Sequence, residues 1–244
     1  DLLFLCLFLS MKTNKFLILF FVILTSNLYA QQIKVTSDFG VWIGVEYEKK
    51  IFKSFDLSLA QQIRTFKNSS VLDDYLFDIG LKYPINKEFN LGANIRYIYN
   101  NKRVKEKENN FRYNLDITYK KKLTQKIKIY YRLRYQKEYI NHYRNIYYRL
   151  TGISNQKIYS SGVRNKLKIK FKLNKKNTFY TSAELFRLIE NFRDPYFNKI
   201  RFNIGEETKS KIGKFDFSLG FEKELHSDFP YSFLFFKMIY SIKG

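Results

Sequence analysis

Asp74-Tyr75-Leu76-Phe77-Asp78-Ile79-Gly80-Leu81-Lys82-Tyr83 decides the fold. Tyr75, Phe77, Ile79, Leu81 and Tyr83 share one parity; Asp74, Asp78, Gly80 and Lys82 share the other. A period of two puts successive side chains on opposite faces of an extended chain, so the stretch reads as a β-strand with one apolar and one polar face. The apolar set opens and closes on Tyr, with aliphatic side chains and Phe between. An apolar band bordered by aromatic rings is the profile of a strand crossing a bilayer.

The alternation recurs from Phe39 to Ile242, predicting eleven strands at 39–49, 54–65, 73–83, 88–99, 110–121, 126–137, 161–173, 177–187, 199–209, 214–224 and 231–242. The outward parity holds Phe39, Val41, Ile43, Val45 and Tyr47 in the first strand, Phe111, Tyr113, Leu115, Ile117 and Tyr119 in the fifth, and Phe215, Phe217, Leu219 and Phe221 in the tenth. None carries a charge, as lipid contact demands, since a Lys or Arg at the bilayer midplane costs about 2–4 kcal/mol. Connections alternate between short (Lys50–Lys53, Pro84–Lys87, Lys122–Gln125, Asn174–Lys176, Ser210–Gly213) and longer (Phe66–Leu72, Asn100–Asn109, Glu138–Ser160, Leu188–Asn198, Lys223–Pro230). The expectation is an all-β, antiparallel transmembrane barrel of ten to twelve strands. Twelve is favoured because bacterial barrels have even counts, with Gln31–Thr36 as the twelfth strand and ten as the fallback. A soluble barrel would turn its apolar side chains inward instead.

The 244 residues suffice for one such domain, expected over residues 31–244. Met11 opens a secretory signal, with Lys12 and Lys15 as its charged region, Phe16–Leu24 as its apolar region and Ala30 before the expected cleavage point. Residues 1–10 are expected to be upstream reading frame, the alternative being a longer signal. Cys6 is the sole cysteine and leaves with the signal, so the mature chain holds no disulfide or thiol chemistry. No later stretch reaches the roughly 18 apolar residues of a membrane helix, so a membrane-embedded form has to be a closed barrel. Lys and Arg total 44 against 22 Asp and Glu, a formal charge of +22. Export turns that charge away from nucleic acid, toward lipid headgroups, lipopolysaccharide phosphates or acidic solutes.

The inward parity carries the chemistry. The seventh strand places Arg164, Lys166, Lys168, Lys170 and Lys172 on one face, and the sixth adds Lys128, Arg132 and Arg134. Arg64, Arg96 and Arg201 come from other strands, as do the acids Glu46, Glu48, Asp74, Asp78, Asp116, Glu184, Asp216 and Glu222. Like charges on adjacent strands cannot stay dry and unpaired. Either a lattice of ion pairs fills the barrel, or water and anions occupy a basic wall set opposite an acidic one. Trp42 falls in the polar register and either plugs the lumen or marks a register change. His142 and His226 fall in loops; His226 adjoins Ser227, but sequence neighbours seldom form a nucleophile–base pair. No His or Cys cluster has metal-ligand spacing and no glycine pattern cradles a nucleotide, so no cofactor is expected. Asp194-Pro195-Tyr196 and Asp228-Phe229-Pro230 read as turns.

Five segments in order carry a family likeness: Asp38-Phe39-Gly40-Val41-Trp42, Leu57 to Arg64, Tyr131-Arg132-Leu133-Arg134-Tyr135-Gln136, Arg164-Asn165-Lys166-Leu167-Lys168, and Ser182-Ala183-Glu184-Leu185-Phe186. Across Asp38–Glu224 the chain resembles domain of unknown function 2490, a family of Gram-negative outer-membrane β-barrels. The resemblance implies a signal-bearing barrel and transfers no catalytic residue. Its segments add Asn165 to the lumen candidates. The functional expectation is a non-enzymatic outer-membrane barrel whose lumen binds or passes small anionic solutes through Arg64, Arg96, Arg132, Arg134, Arg164, Lys166, Lys168, Lys170, Glu184 and Arg201. Its expected partners are outer-membrane lipid, lipopolysaccharide and the barrel-assembly machinery. The alternatives are a lipid-modifying enzyme using a loop histidine, and an adhesive barrel acting through its Tyr-rich loops.

Overall fold

Each alternating run becomes a strand, and the strands close on themselves. The computed structural model describes residues 36–52, 54–101, 107–139, 159–190, 193–226 and 230–244. Its elements are β1 (Thr36–Ile51), β2 (Phe55–Phe66), β3 (Val71–Pro84), β4 (Phe89–Asn101), β5 (Lys107–Lys122), β6 (Ile127–Tyr139), β7 (Tyr159–Lys172), β8 (Asn177–Glu190), β9 (Arg193–Lys209), β10 (Gly213–Glu224) and β11 (Tyr231–Lys243). Sequence neighbours pair antiparallel all round a closed barrel, and the ring is completed by β1 against β11. That seam is parallel, from Thr36 opposite Tyr231 to Glu48 opposite Lys243. An odd number of up-and-down strands leaves the first and last running the same way, so only a parallel pair can join them. This corrects the favoured count of twelve. The seam occupies the edges a twelfth strand would need; Gln31–Val35, like residues 1–30, lies outside the described residues.

One end of the barrel carries short turns whose sequences dictate them. Asn86 Oδ1 accepts the N–H groups of Glu88 and Phe89, Asn174 Oδ1 those of Lys176 and Asn177, and Thr124 Oγ1 those of Lys126 and Ile127. Asn and Thr at the first turn position supply an acceptor the backbone would otherwise lack. The other end is shorter in loop than the sequence implied. The span Phe66–Leu72 tightens to a turn at residues 67–70, and Asp194-Pro195-Tyr196 lies inside β9 rather than in a turn. The β8–β9 register shifts between Leu188 and Glu190, and that irregularity accommodates a proline with no N–H to give the ladder. Lys67, Asn68 and Ser69 all take left-handed φ of 50–65°. Asp38 holds them there: its carboxylate accepts N–H groups from Lys67 and Asn68 at 2.9 Å and the Tyr231 hydroxyl at 2.8 Å.

The outer surface is apolar, with Ile43, Val45, Ile79, Leu81, Ile95, Leu115, Ile117, Leu167, Ile204 and Leu219 all exposed. The polar parity turns inward, opposite to a soluble barrel. The interior is not uniformly wet, however. Trp42, Phe66, Phe233 and Phe235 form a buried apolar cluster inside the barrel, with Val71 and Tyr231 packed against it. Burying each such ring contributes about 1.5–3 kcal/mol. Glycine makes the room: a Cβ at Gly220 would overlap the Phe235 ring, and one at Gly40 would overlap Phe233. Trp42 is therefore a plug residue and not a register marker.

Candidate functional site

All ten predicted lumen residues face inward, from β2 (Arg64), β4 (Arg96), β6 (Arg132, Arg134), β7 (Arg164, Lys166, Lys168, Lys170), β8 (Glu184) and β9 (Arg201). Asn165 does not join them. It has the odd, outward parity of β7, and its Oδ1 accepts the exposed Tyr131 hydroxyl at 2.7 Å.

Glu184, 1% exposed, gathers four cations. Its Oε1 accepts Arg132 Nη2 at 2.9 Å and Arg164 Nε and Nη2 at 3.0 and 2.8 Å, while Oε2 lies 3.9 Å from Lys166 and 3.7 Å from Arg201. Arg201 and Lys199 share Glu222, at 2.5 and 2.7 Å. Within this node five cations, Arg132, Arg164, Lys166, Lys199 and Arg201, meet two carboxylates, an excess of three. Nearer the short-turn end Glu207 receives Lys168 at 3.0 Å, Lys170 at 2.6 Å and Lys214 at 3.7 Å, three cations against one carboxylate. Four further pairs among the described residues are one to one. Arg96 meets Asp78 at 2.8 Å, Arg134 is bidentate on Asp116 at 2.6 Å, Lys237 meets Asp216 at 2.9 Å, and Arg112 pairs with Glu138. Arg64 donates Nε and Nη2 to Gln62 Oε1 and stands 3.8 Å from Asp74.

These contacts correct the picture of a basic wall facing an acidic one. The partners of β6 and β7 come mainly from β5, β8 and β9, one or two strands away in the ring. Compensation is local, and the excess concentrates at two nodes. Glu207, Lys199 and Lys237 escaped the sequence reading. Parity alone would have found Glu207, since it shares the odd, inward set of β9 with Arg201. Glu138 escaped because it stands where a loop was expected to begin.

A cavity of about 740 Å³ threads the lumen, lined by Glu48, Lys82 and Lys214 toward the short turns, by the Glu184 node midway, and by Gln136, Ser160 and Leu188 toward the long-loop end. Aromatic rings border its cations. Phe186 lies 4.5 Å from the Arg164 guanidinium and 4.9 Å from that of Arg201. Trp42 stacks on Phe235 with centroids 3.7 Å and planes 11° apart, and carries Arg64 4.0 Å from its centroid. Planar guanidinium groups over π faces keep their forked N–H donors while gaining cation–π stabilisation of about 0.5–2 kcal/mol. Of the two histidines, His142 lies outside the described residues. His226 sits beyond β10 with its ring 4.4 Å from that of Tyr196, and the adjoining Ser227 is also outside the described residues.

The family model described as a protein of unknown function, DUF2490, matches residues 39–223. No curated protein matches the chain. A Pseudomonas aeruginosa FadL homologue of known crystal structure aligns with 71% of this chain and 58% of its own, at 10% identity and a TM-score of 0.31. The chain thus spans little more than half the length of that structure.

Proposed function

The chain belongs to the DUF2490 family, and we propose that it is an outer-membrane β-barrel whose arginine-lined lumen binds and admits small anions. The apolar, Tyr-bordered exterior and the closed hydrogen-bonded ring support the membrane placement. Hydrocarbon tolerates no unpaired backbone, and a closed barrel leaves none. Short turns then face the periplasm and the longer connections face outward. Lipid and lipopolysaccharide surround the barrel, the barrel-assembly machinery inserts it, and the lumen works without catalysis.

The observation that carries the anion reading is the excess of three cations at the Glu184 node, directly on the cavity. Partly buried cations without enough carboxylates need counter-charge, and a mobile anion entering the cavity supplies it. Arginine suits the task, because its fork holds an oxyanion bidentately. Lys82 and Lys214 at the periplasmic side of the cavity add a field that raises the local anion concentration.

Planar-bilayer recording of the purified barrel under a KCl gradient tests this. The expected result is a conductance whose reversal potential favours chloride, moving toward neutrality when Arg132 and Lys166 are both changed to Gln. Absence of conductance, or a cation preference that the double substitution leaves unchanged, overturns the proposal.

A further inference from the structure

Five side chains that line the same cavity each hold a buried atom with no hydrogen-bond partner among the described residues: Trp42 Nε1, Arg132 Nε, Glu184 Oε2, Asp74 Oδ1 and Gln136 Oε1. They are of two kinds. Trp42 and Arg132 offer donors; Glu184, Asp74 and Gln136 offer acceptors. Trp42 is 6% exposed, and its two faces are taken by Phe235 and Arg64, so only its edge, which bears the N–H, is left for a further contact. Arg201 joins the donor side. Its Cζ lies 5.1 Å from the Trp42 centroid, and its Nη1 stands 3.7 Å from the free Glu184 oxygen, beyond hydrogen-bond reach.

A halide or a simple carboxylate satisfies only the donors. It leaves three acceptors dry. A ligand that carries hydroxyl groups next to its anionic group satisfies both kinds, its oxyanion against Trp42, Arg132 and Arg201 and its hydroxyls toward Glu184, Asp74 and Gln136. Resting on the anion-lumen reading above, we infer that the lumen's ligands are polyhydroxylated acids of the sugar-acid class. Trp42 and Gln136 are then specificity-determining residues, the first reading the anionic group and the second a hydroxyl. A site that pairs with a ligand hydroxyl rejects the analogue lacking it, because its own polar groups are left unpaired.

The test is isothermal titration calorimetry on the full chain in detergent micelles, with protein-free micelles as the blank. The probes are D-glucuronate and cyclohexanecarboxylate, which share a six-membered ring and one negative charge but differ in hydroxyls. The expected result is glucuronate binding at least about tenfold tighter. Gln136→Leu, an apolar replacement at a half-buried position, narrows that preference several-fold, and Trp42→Phe weakens both acids while keeping the plug aromatic. Equal binding of the two acids overturns the inference and leaves the anion lumen standing, its unpaired atoms then serving water. Binding of neither acid overturns the anion lumen itself. A preference that survives Gln136→Leu intact overturns that residue's assigned role.

Discussion

Replacing Glu184 by Gln should be the most damaging single change in the lumen. The carboxylate has four cationic partners at 2.8, 2.9, 3.7 and 3.9 Å and is 1% exposed. At an effective dielectric constant near 20, one unit pair at 4 Å is worth about 4 kcal/mol. Mutual repulsion among the cations and the cost of desolvating them cancel most of the four-pair sum. The net penalty is that of orphaning a buried charge cluster, about 3–5 kcal/mol. The amide keeps the shape, so the loss reports charge and not packing. Trp42 is the only tryptophan and sits in the adjoining plug, so its emission follows unfolding without a label. With a urea dependence of roughly 2 kcal/mol/M, the midpoint in detergent should fall by about 2 M. Adding Arg164→Met removes one of the stranded cations and should recover part of the loss. A midpoint within 0.3 M of the parent, on the order of a 0.5 kcal/mol change, would refute the reasoning, as would a double variant less stable than Glu184→Gln alone.

Three further perturbations probe other parts of the fold. Leu219→Arg, midway along β10 on the outer face, should destabilise the barrel in lipid vesicles by about 2–4 kcal/mol, measured by reversible urea titration. Gly220→Ala forces the Phe235 ring aside; overpacking of this kind costs about 1–3 kcal/mol, and the displaced stacking partner should shift Trp42 emission. Asp38→Ala removes the acceptor for the Lys67 and Asn68 N–H groups, so limited trypsinolysis after Lys67 should speed up about tenfold while the global unfolding midpoint moves little.

The strands were legible because one physical rule generates them: a ribbon between two unlike environments alternates with period two. Asp74–Tyr83 states it openly, and the outward parity of Leu115, Leu167 and Leu219 repeats it. Departures from the rule mark apolar parts of the interior, the plug among them. Phe233-Leu234-Phe235-Phe236 is apolar on both parities, and Leu76 interrupts the polar face of β3; each is a place where the interior, too, is apolar. That signal was present and unread. Closure was not legible, because strand count modulo two is a property of the ring and no local segment encodes it. Strand ends failed for a different reason. Lys107–Asn109 and Arg193–Asn198 do not alternate apolar and polar residues, so they look like loop although they extend β5 and β9. Ion-pair partners were hidden because the contacts skip strands, Arg132 of β6 reaching Glu184 of β8 and Lys168 of β7 reaching Glu207 of β9. Such pairs depend on barrel curvature, which parity leaves unspecified. The residue types of the site were thus readable from the chain, and its grouping into two cation-rich nodes was not.

The most direct measurement asks what touches the outer face. Spin labels placed singly at Ile79, Leu115 and Leu219 of the barrel reconstituted in lipid vesicles, with collision rates measured against dissolved oxygen and a water-soluble nickel chelate, distinguish hydrocarbon from water and from packed protein. The account predicts high oxygen and low nickel accessibility at all three positions. High nickel accessibility, or protection from both reagents, would contradict it.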